Sequence, residues 1–142
     1  MRSWALGSKL PPRYAFDNES FNRYDLVFKD LENQRMAPFD SVALHCLDDR
    51  TIYEIEGYAN SNAKFDEVLA TLNVKYGQGK ARDWVGSVGY DWQLDDSVLS
   101  LSTGSDCYCV LITYKSTPLE LRHEQEVKTK QEAAGAGFAP HL

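Results

Sequence analysis

The side chains of this 142-residue chain able to carry chemistry are three cysteines, three histidines and a handful of paired acids. Cys107 and Cys109 lie two apart in a predicted strand, so both side chains point the same way and cannot bond each other without distorting it. Cys46, in an earlier predicted hairpin, is the remaining thiol. A bridge from Cys46 to Cys107 or Cys109 is therefore the disulfide to test, worth about 2–4 kcal/mol if formed. The alternative is three unbridged core or half-buried thiols. Cys-x-Cys lacks the longer spacer of zinc ribbons, and no second cysteine pair completes four ligands. His45 adjoins Cys46, but neighbours on a strand face opposite sides, which argues against a Cys/His nucleophile pair.

Glu54 and Glu56 share one face of a predicted strand, as a glycosidase carboxylate pair would. That spacing on a strand is far more often a solvated face. Asp48-Asp49 and Asp95-Asp96 fall at predicted turns, where Asp is favoured by side-chain to backbone hydrogen bonds. Neither pair offers the dense oxygen array that calcium wants. Gly77-Gln78-Gly79-Lys80 resembles a fragment of a phosphate loop, yet it follows a helix and lacks the subsequent Ser/Thr. His123 sits on a polar helix and His141 in the tail. No catalytic residue, metal or cofactor is assigned on this reading.

The elements that must position these residues follow from periodicity. Phe21, Tyr24, Phe28 and Leu31 recur at helical spacing over about 20–33, although Tyr24, Leu26 and Phe28 also alternate. Ser41 to Leu47, the Asp48-Asp49-Arg50 turn and Thr51 to Tyr58 read as a hairpin. Asn62 is a plausible N-cap for a helix whose stripe is Phe65, Val68, Leu69, Leu72 and Tyr76, with Gly77 as its C′ residue. Trp84, Val88, Tyr90, Trp92 and Leu94 fall in one register of a single aromatic strand interrupted by Gly86 and Gly89. Val98 to Ser102 and Cys107 to Tyr114 complete a meander. Thr117-Pro118-Leu119-Glu120 carries three helix-start signals for a polar helix to about Ala133.

The expected fold is a single α+β domain. A five-stranded, mostly antiparallel sheet (hairpin, helix, three-strand meander) has one helix on one face, flanked by N-terminal and C-terminal helices. Residues 1–18 read as an extended or disordered segment with Trp4 as a possible anchor, 19–134 as the domain and 135–142 as a flexible tail. The length suffices for a core without disulfides, burying roughly 70% of the unfolded surface.

Net charge is −6, concentrated in residues 41–115 with 11 acids against 6 bases. Such a surface repels phosphate backbones and anionic headgroups, which disfavours nucleic acid and favours a basic protein partner. No run of roughly 18 apolar residues predicts a membrane span, and residues 1–10 show no signal-peptide core.

The run Phe65-x-x-Val68-Leu69-x-x-Leu72-x-x-Lys75-Tyr76-Gly77, then Trp84, Leu99-Ser100-Leu101 and Leu111-Ile112-Thr113-Tyr114-Lys115-Ser116, looks like small, largely uncharacterised bacterial envelope domains. The resemblance covers about residues 41–120, rests on structural motifs, and implies the bacterial envelope or periplasm over the cytoplasm. It carries over no catalytic motif. The expected function is a non-enzymatic protein-binding module, of the inhibitor or immunity kind, acting through an acidic, aromatic sheet surface of Trp84, Tyr90, Trp92, Glu54 and Glu56. An acidic dimer of the secretion-chaperone kind and a thiol-dependent redox protein are the alternatives. The oligomeric state is left open.

Overall fold

The computed structural model describes residues 4–17, 21–26, 40–59, 65–84, 87–103 and 109–136. Seven strands form one antiparallel sheet: β1 (Arg23–Asp25), β2 (Ser41–Cys46), β3 (Ile52–Ala59), β4 (Lys80–Trp84), β5 (Ser87–Gln93), β6 (Ser97–Thr103) and β7 (Val110–Ser116). The spatial order is β1-β2-β3-β7-β6-β5-β4, two meanders joined where β3 pairs with β7. Helix α1 (Phe65–Tyr76) connects the two halves, and helix α2 (Thr117–Ala136) follows β7 directly. The α+β class matches expectation; the strand count does not.

Both additional strands have identifiable reasons. The helical reading over about 20–33 gives way at Arg23 to Asp25, where the alternation of Tyr24 and Leu26 wins; Phe28 and Leu31 lie outside the described residues. Asn22 takes a left-handed φ of 50°, Arg23 to Asp25 pair with His45 to Ala43, and Leu26 is buried. Residues 27–39 lie outside the described residues. The expected single strand through Trp84 and Trp92 is two strands, with Lys80 to Trp84 paired against Asp91 to Ser87. Gly86 lies outside the described residues. Gly89 marks no bend: it keeps regular pairing with Arg82 and Ser102, and a Cβ there would meet the Arg82 guanidinium at 3.0 Å.

One face of the sheet holds the core in two adjoining clusters. Beneath β4 to β7, the α1 stripe of Phe65, Val68, Leu69 and Leu72 packs on Trp92, Leu99, Leu101 and Val110. Val110, Ile112 and Tyr114 all face this cluster, the expected alternation of the last strand. Asp66 and Glu67 complement the α1 dipole at its start and Lys75 at its end. Gly77, at a φ of 89°, then ends the helix as its αL C′ residue. The N-cap read at Asn62 lies outside the described residues.

Beneath β1 to β3 the cover is the segment before β1. Trp4 and Leu10 are buried against Val42, Leu44, Cys46 and Ile52. Main-chain bonds tie it down, Gly7 N donating to Ile52 O and Ile52 N to Ser8 O, both at 2.9 Å. Arg50 supplies the clamp. It occupies a left-handed position (φ 71°) in the β2–β3 loop, and its guanidinium donates to the carbonyls of Leu10, Pro11 and Tyr14.

Helix α2 begins one residue earlier than the Thr117 cap implies. Ser116 Oγ accepts from Leu119 N at 3.3 Å, and Thr117 N is used by the Asp96 carbonyl at 2.8 Å. Among the described residues no helix is long and apolar enough to cross a membrane.

Candidate functional site

The opposite face of the sheet is polar, and its centre is assembled by a register shift. The Asp48-Asp49-Arg50 loop sets Cys46 opposite Ile52, but a bulge then places His45 opposite Glu54. Without that extra residue His45 would face Tyr53. The bulge therefore separates three roles: Ile52 enters the core, Tyr53 turns towards α2, and Glu54 joins Glu56 beside His45.

His45 Nε2 lies 3.4 Å from Glu54 Oε2 and 3.3 Å from Glu56 Oε2. The side chains of His45 and Glu54 are each only 15% exposed, so the pair of acids first read as a solvated face is half-buried instead. Lys115, opposite Glu54 on β7, approaches Glu54 Oε1 at 3.7 Å and Glu120 at 3.5 Å. The hydrogen bond with His45 holds the Glu56 carboxyl below its ordinary pKa, against the opposing effect of burial. Further along the same face Arg82 Nε meets Asp91 at 2.7 Å, and Ser100 Oγ donates to Asp91 at 2.6 Å.

At the end of the hairpin, α2 is pinned across the loop. Tyr53 and His123 stack with ring centroids 4.5 Å apart, Lys130 Nζ reaches Asp48 at 2.7 Å, and Arg122 reaches Asp49 at 3.3 Å. Between this helix and the Phe21–Asn22 turn opens a groove of about 430 Å³, lined by Phe21, Asn22, Asp48, His123, Glu126, Val127, Lys130, Gln131 and Ala134. Phe21 is 68% exposed and Val127 37%.

Of the aromatics expected to form a surface at the meander, Trp92 is in the core. Trp92 is 3% exposed, its Nε1 donates to Gly77 O at 2.8 Å, and its ring rests on Gly79, where a Cβ would come within 2.7 Å. Gly77-Gln78-Gly79-Lys80 is thus a helix stop and a seat for tryptophan. Tyr90 is half-buried and packs near Phe65, with ring centroids at 6.3 Å. Trp84 closes β4, and its side chain lies outside the described residues.

Cys46 is a free, buried cysteine, so neither candidate bridge from it forms. Its strand position pairs with Ile52 at one end of β3, whereas Cys109 precedes Val110, which pairs with Ala59 at the other end. Seven residues of strand separate those ends by roughly 20 Å, far beyond disulfide reach. Cys109 is disulfide-bonded, and Cys107 lies outside the described residues. Burial pushes the Cys46 thiol up to about 11, so it is protonated and inert at neutral pH. His45 and Cys46 do face opposite sides of β2, as adjacent strand residues must.

Sequence reasoning missed His45 as a partner of Glu54 and Glu56, because the bulge that unites them leaves no sequence signal. It also missed Phe21 and Val127 as two walls of a groove, since they meet only through tertiary packing. No protein-family model, curated protein or solved structure matches this chain.

Proposed function

We propose that the chain is a non-enzymatic protein-binding module whose docking surface is the groove between α2 and the Phe21–Asn22 turn. The occupant is an apolar side chain carried on a basic segment of a partner protein. The observation that carries this reading is the exposure of Phe21 opposite Val127 across a groove of about 430 Å³. Leaving a phenylalanine in water forgoes about 1.5–3 kcal/mol of burial that a partner would recover. Carboxylates of Asp48 and Glu126 line the groove against one lysine, Lys130, which pairs with Asp48, and the chain as a whole carries −6, so a basic segment is the sign-compatible ligand.

The same role was expected of the meander aromatics, but Trp92 and Tyr90 are committed to the core. The thiol-redox alternative would act through Cys107 or Cys109; Cys46 adds nothing to it, being completely buried with a raised pKa. Selection of peptides from a displayed random library tests the reading. Recovered peptides should combine an apolar residue with flanking Lys or Arg, and should perturb amide signals of residues 21–22 and 123–131. Peptides that map to the α1 surface instead, or no enrichment at all, would refute it.

A further inference from the structure

The His45, Glu54 and Glu56 cluster is independent of the groove and has a geometry of its own. N–H···O hydrogen bonds settle near about 2.9–3.0 Å. Here the two His-to-Glu separations are 3.4 and 3.3 Å, so the His45–Glu56 hydrogen bond is a long one. Those lengths match the edge of a coordination tetrahedron: bonds of about 2.0–2.1 Å place neighbouring ligand atoms roughly 3.3–3.4 Å apart. All three ligand atoms fall within 4.8 Å of one another.

We propose that His45, Glu54 and Glu56 form a binding site for a divalent first-row transition ion, with Zn²⁺ the best fit. The ligands come from adjacent strands in fixed register, so little chain ordering is left for the ion to impose. One imidazole nitrogen with two carboxylate oxygens is a borderline donor set that suits Zn²⁺. Ca²⁺ wants about six to eight oxygens and Mg²⁺ an octahedral oxygen shell, so neither is favoured. The Glu54 and Glu56 oxygens nearest His45 are both Oε2, whereas Lys115 approaches the other Glu54 oxygen, Oε1. The ligand atoms are thus not the ones the lysine approaches, and the lysine acts as a competing cation beside the site. Three protein ligands leave the fourth position for water, the form of an open site and not of a sealed structural one.

Titration of chelator-treated full-length chain with Zn²⁺, read by calorimetry, and with Co²⁺, read by visible absorption, tests the assignment. One ion per chain and the intense visible bands of tetrahedral Co²⁺ are expected. His45→Gln and Glu56→Gln should each weaken Zn²⁺ at least about tenfold, since even partners that only orient a ligand are worth about 10–100-fold. Lys115→Gln leaves all three ligands in place, and its expected effect is a several-fold gain in affinity. That gain distinguishes a metal site from a purely structural ion-pair network and does not depend on the other two variants folding. Absence of stoichiometric binding, unchanged affinity in His45→Gln and Glu56→Gln, or weaker binding in Lys115→Gln would overturn the proposal.

Discussion

Arg50→Ala should loosen the N-terminal segment and expose the one thiol buried beneath it. The guanidinium donates to Leu10 O at 2.9 Å, to Pro11 O at 3.1 Å and to Tyr14 O, and lies 4.3 Å from the centroid of the Phe16 ring. Leu10 is 1% exposed, so losing the donor leaves its carbonyl poorly hydrated and costs about 1.5 kcal/mol. The carbonyls of the half-exposed Pro11 and Tyr14 recover water and lose about 0.5 kcal/mol each, as does the cation–π contact. The total is about 3 kcal/mol, or a fall in Tm of roughly 6–12 °C for a chain of this length. Alanine inherits the left-handed φ of 71° and so relieves nothing. Arg50→Gly relieves about 1 kcal/mol of that strain but adds a similar cost in unfolded-chain entropy, so both variants should land close together. Urea unfolding gives the stability, and the labelling rate of Cys46 gives the local opening, because Cys46 lies in the cluster this segment covers. A loss under about 1 kcal/mol with unchanged Cys46 labelling would refute the clamp, and so would wild-type stability in Arg50→Gly.

Further expectations concern packing, pH and helix docking. Gly79→Ala drives a methyl against the Trp92 ring and should cost about 1–3 kcal/mol, with a shift in tryptophan fluorescence. Asp49 is held well below the usual carboxylate range by its hydrogen bond with Thr51 and then by Lys9. A depressed folded pKa gives stability that is present above about pH 4 and lost as pH falls through the folded value. Urea midpoints should therefore drop less between pH 7 and pH 3 in Asp49→Asn than in wild type, by under about 1 kcal/mol because the side chain is 45% exposed. His123→Ala removes the stack on Tyr53 and should cost about 0.5–1.5 kcal/mol, with faster hydrogen exchange confined to α2.

Much of the fold was written in local patterns. The Phe65, Val68, Leu69, Leu72 stripe and Gly77 named α1, and the alternation of Val110, Ile112 and Tyr114 named the face it covers. β4 was invisible because it is an edge strand whose Lys80, Arg82 and Asp83 break any apolar alternation. Such charges suit an edge that must not pair with another chain. β1 was obscured because three residues are too few to separate a period of 2 from one of 3.6. Trp92 was legible as a strand aromatic, but its seat on Gly79 was not, since glycine has no side chain to announce the contact. For the candidate sites, Glu54 and Glu56 were correctly placed on one face. What joined them to His45 was a backbone bulge, and what joined Phe21 to Val127 was the docking of a helix that follows the last strand.

A paired calorimetric titration tests whether the groove between Phe21 and Val127 binds a basic, apolar peptide segment, as proposed. The tightest library-selected peptide is titrated into wild type, Val127→Asp and Val74→Asp. Val74 is a fair control because it is 89% exposed on α1, away from the groove lining. Val127→Asp should lose at least tenfold in affinity and Val74→Asp none. Equal affinity for wild type and Val127→Asp would contradict the proposal.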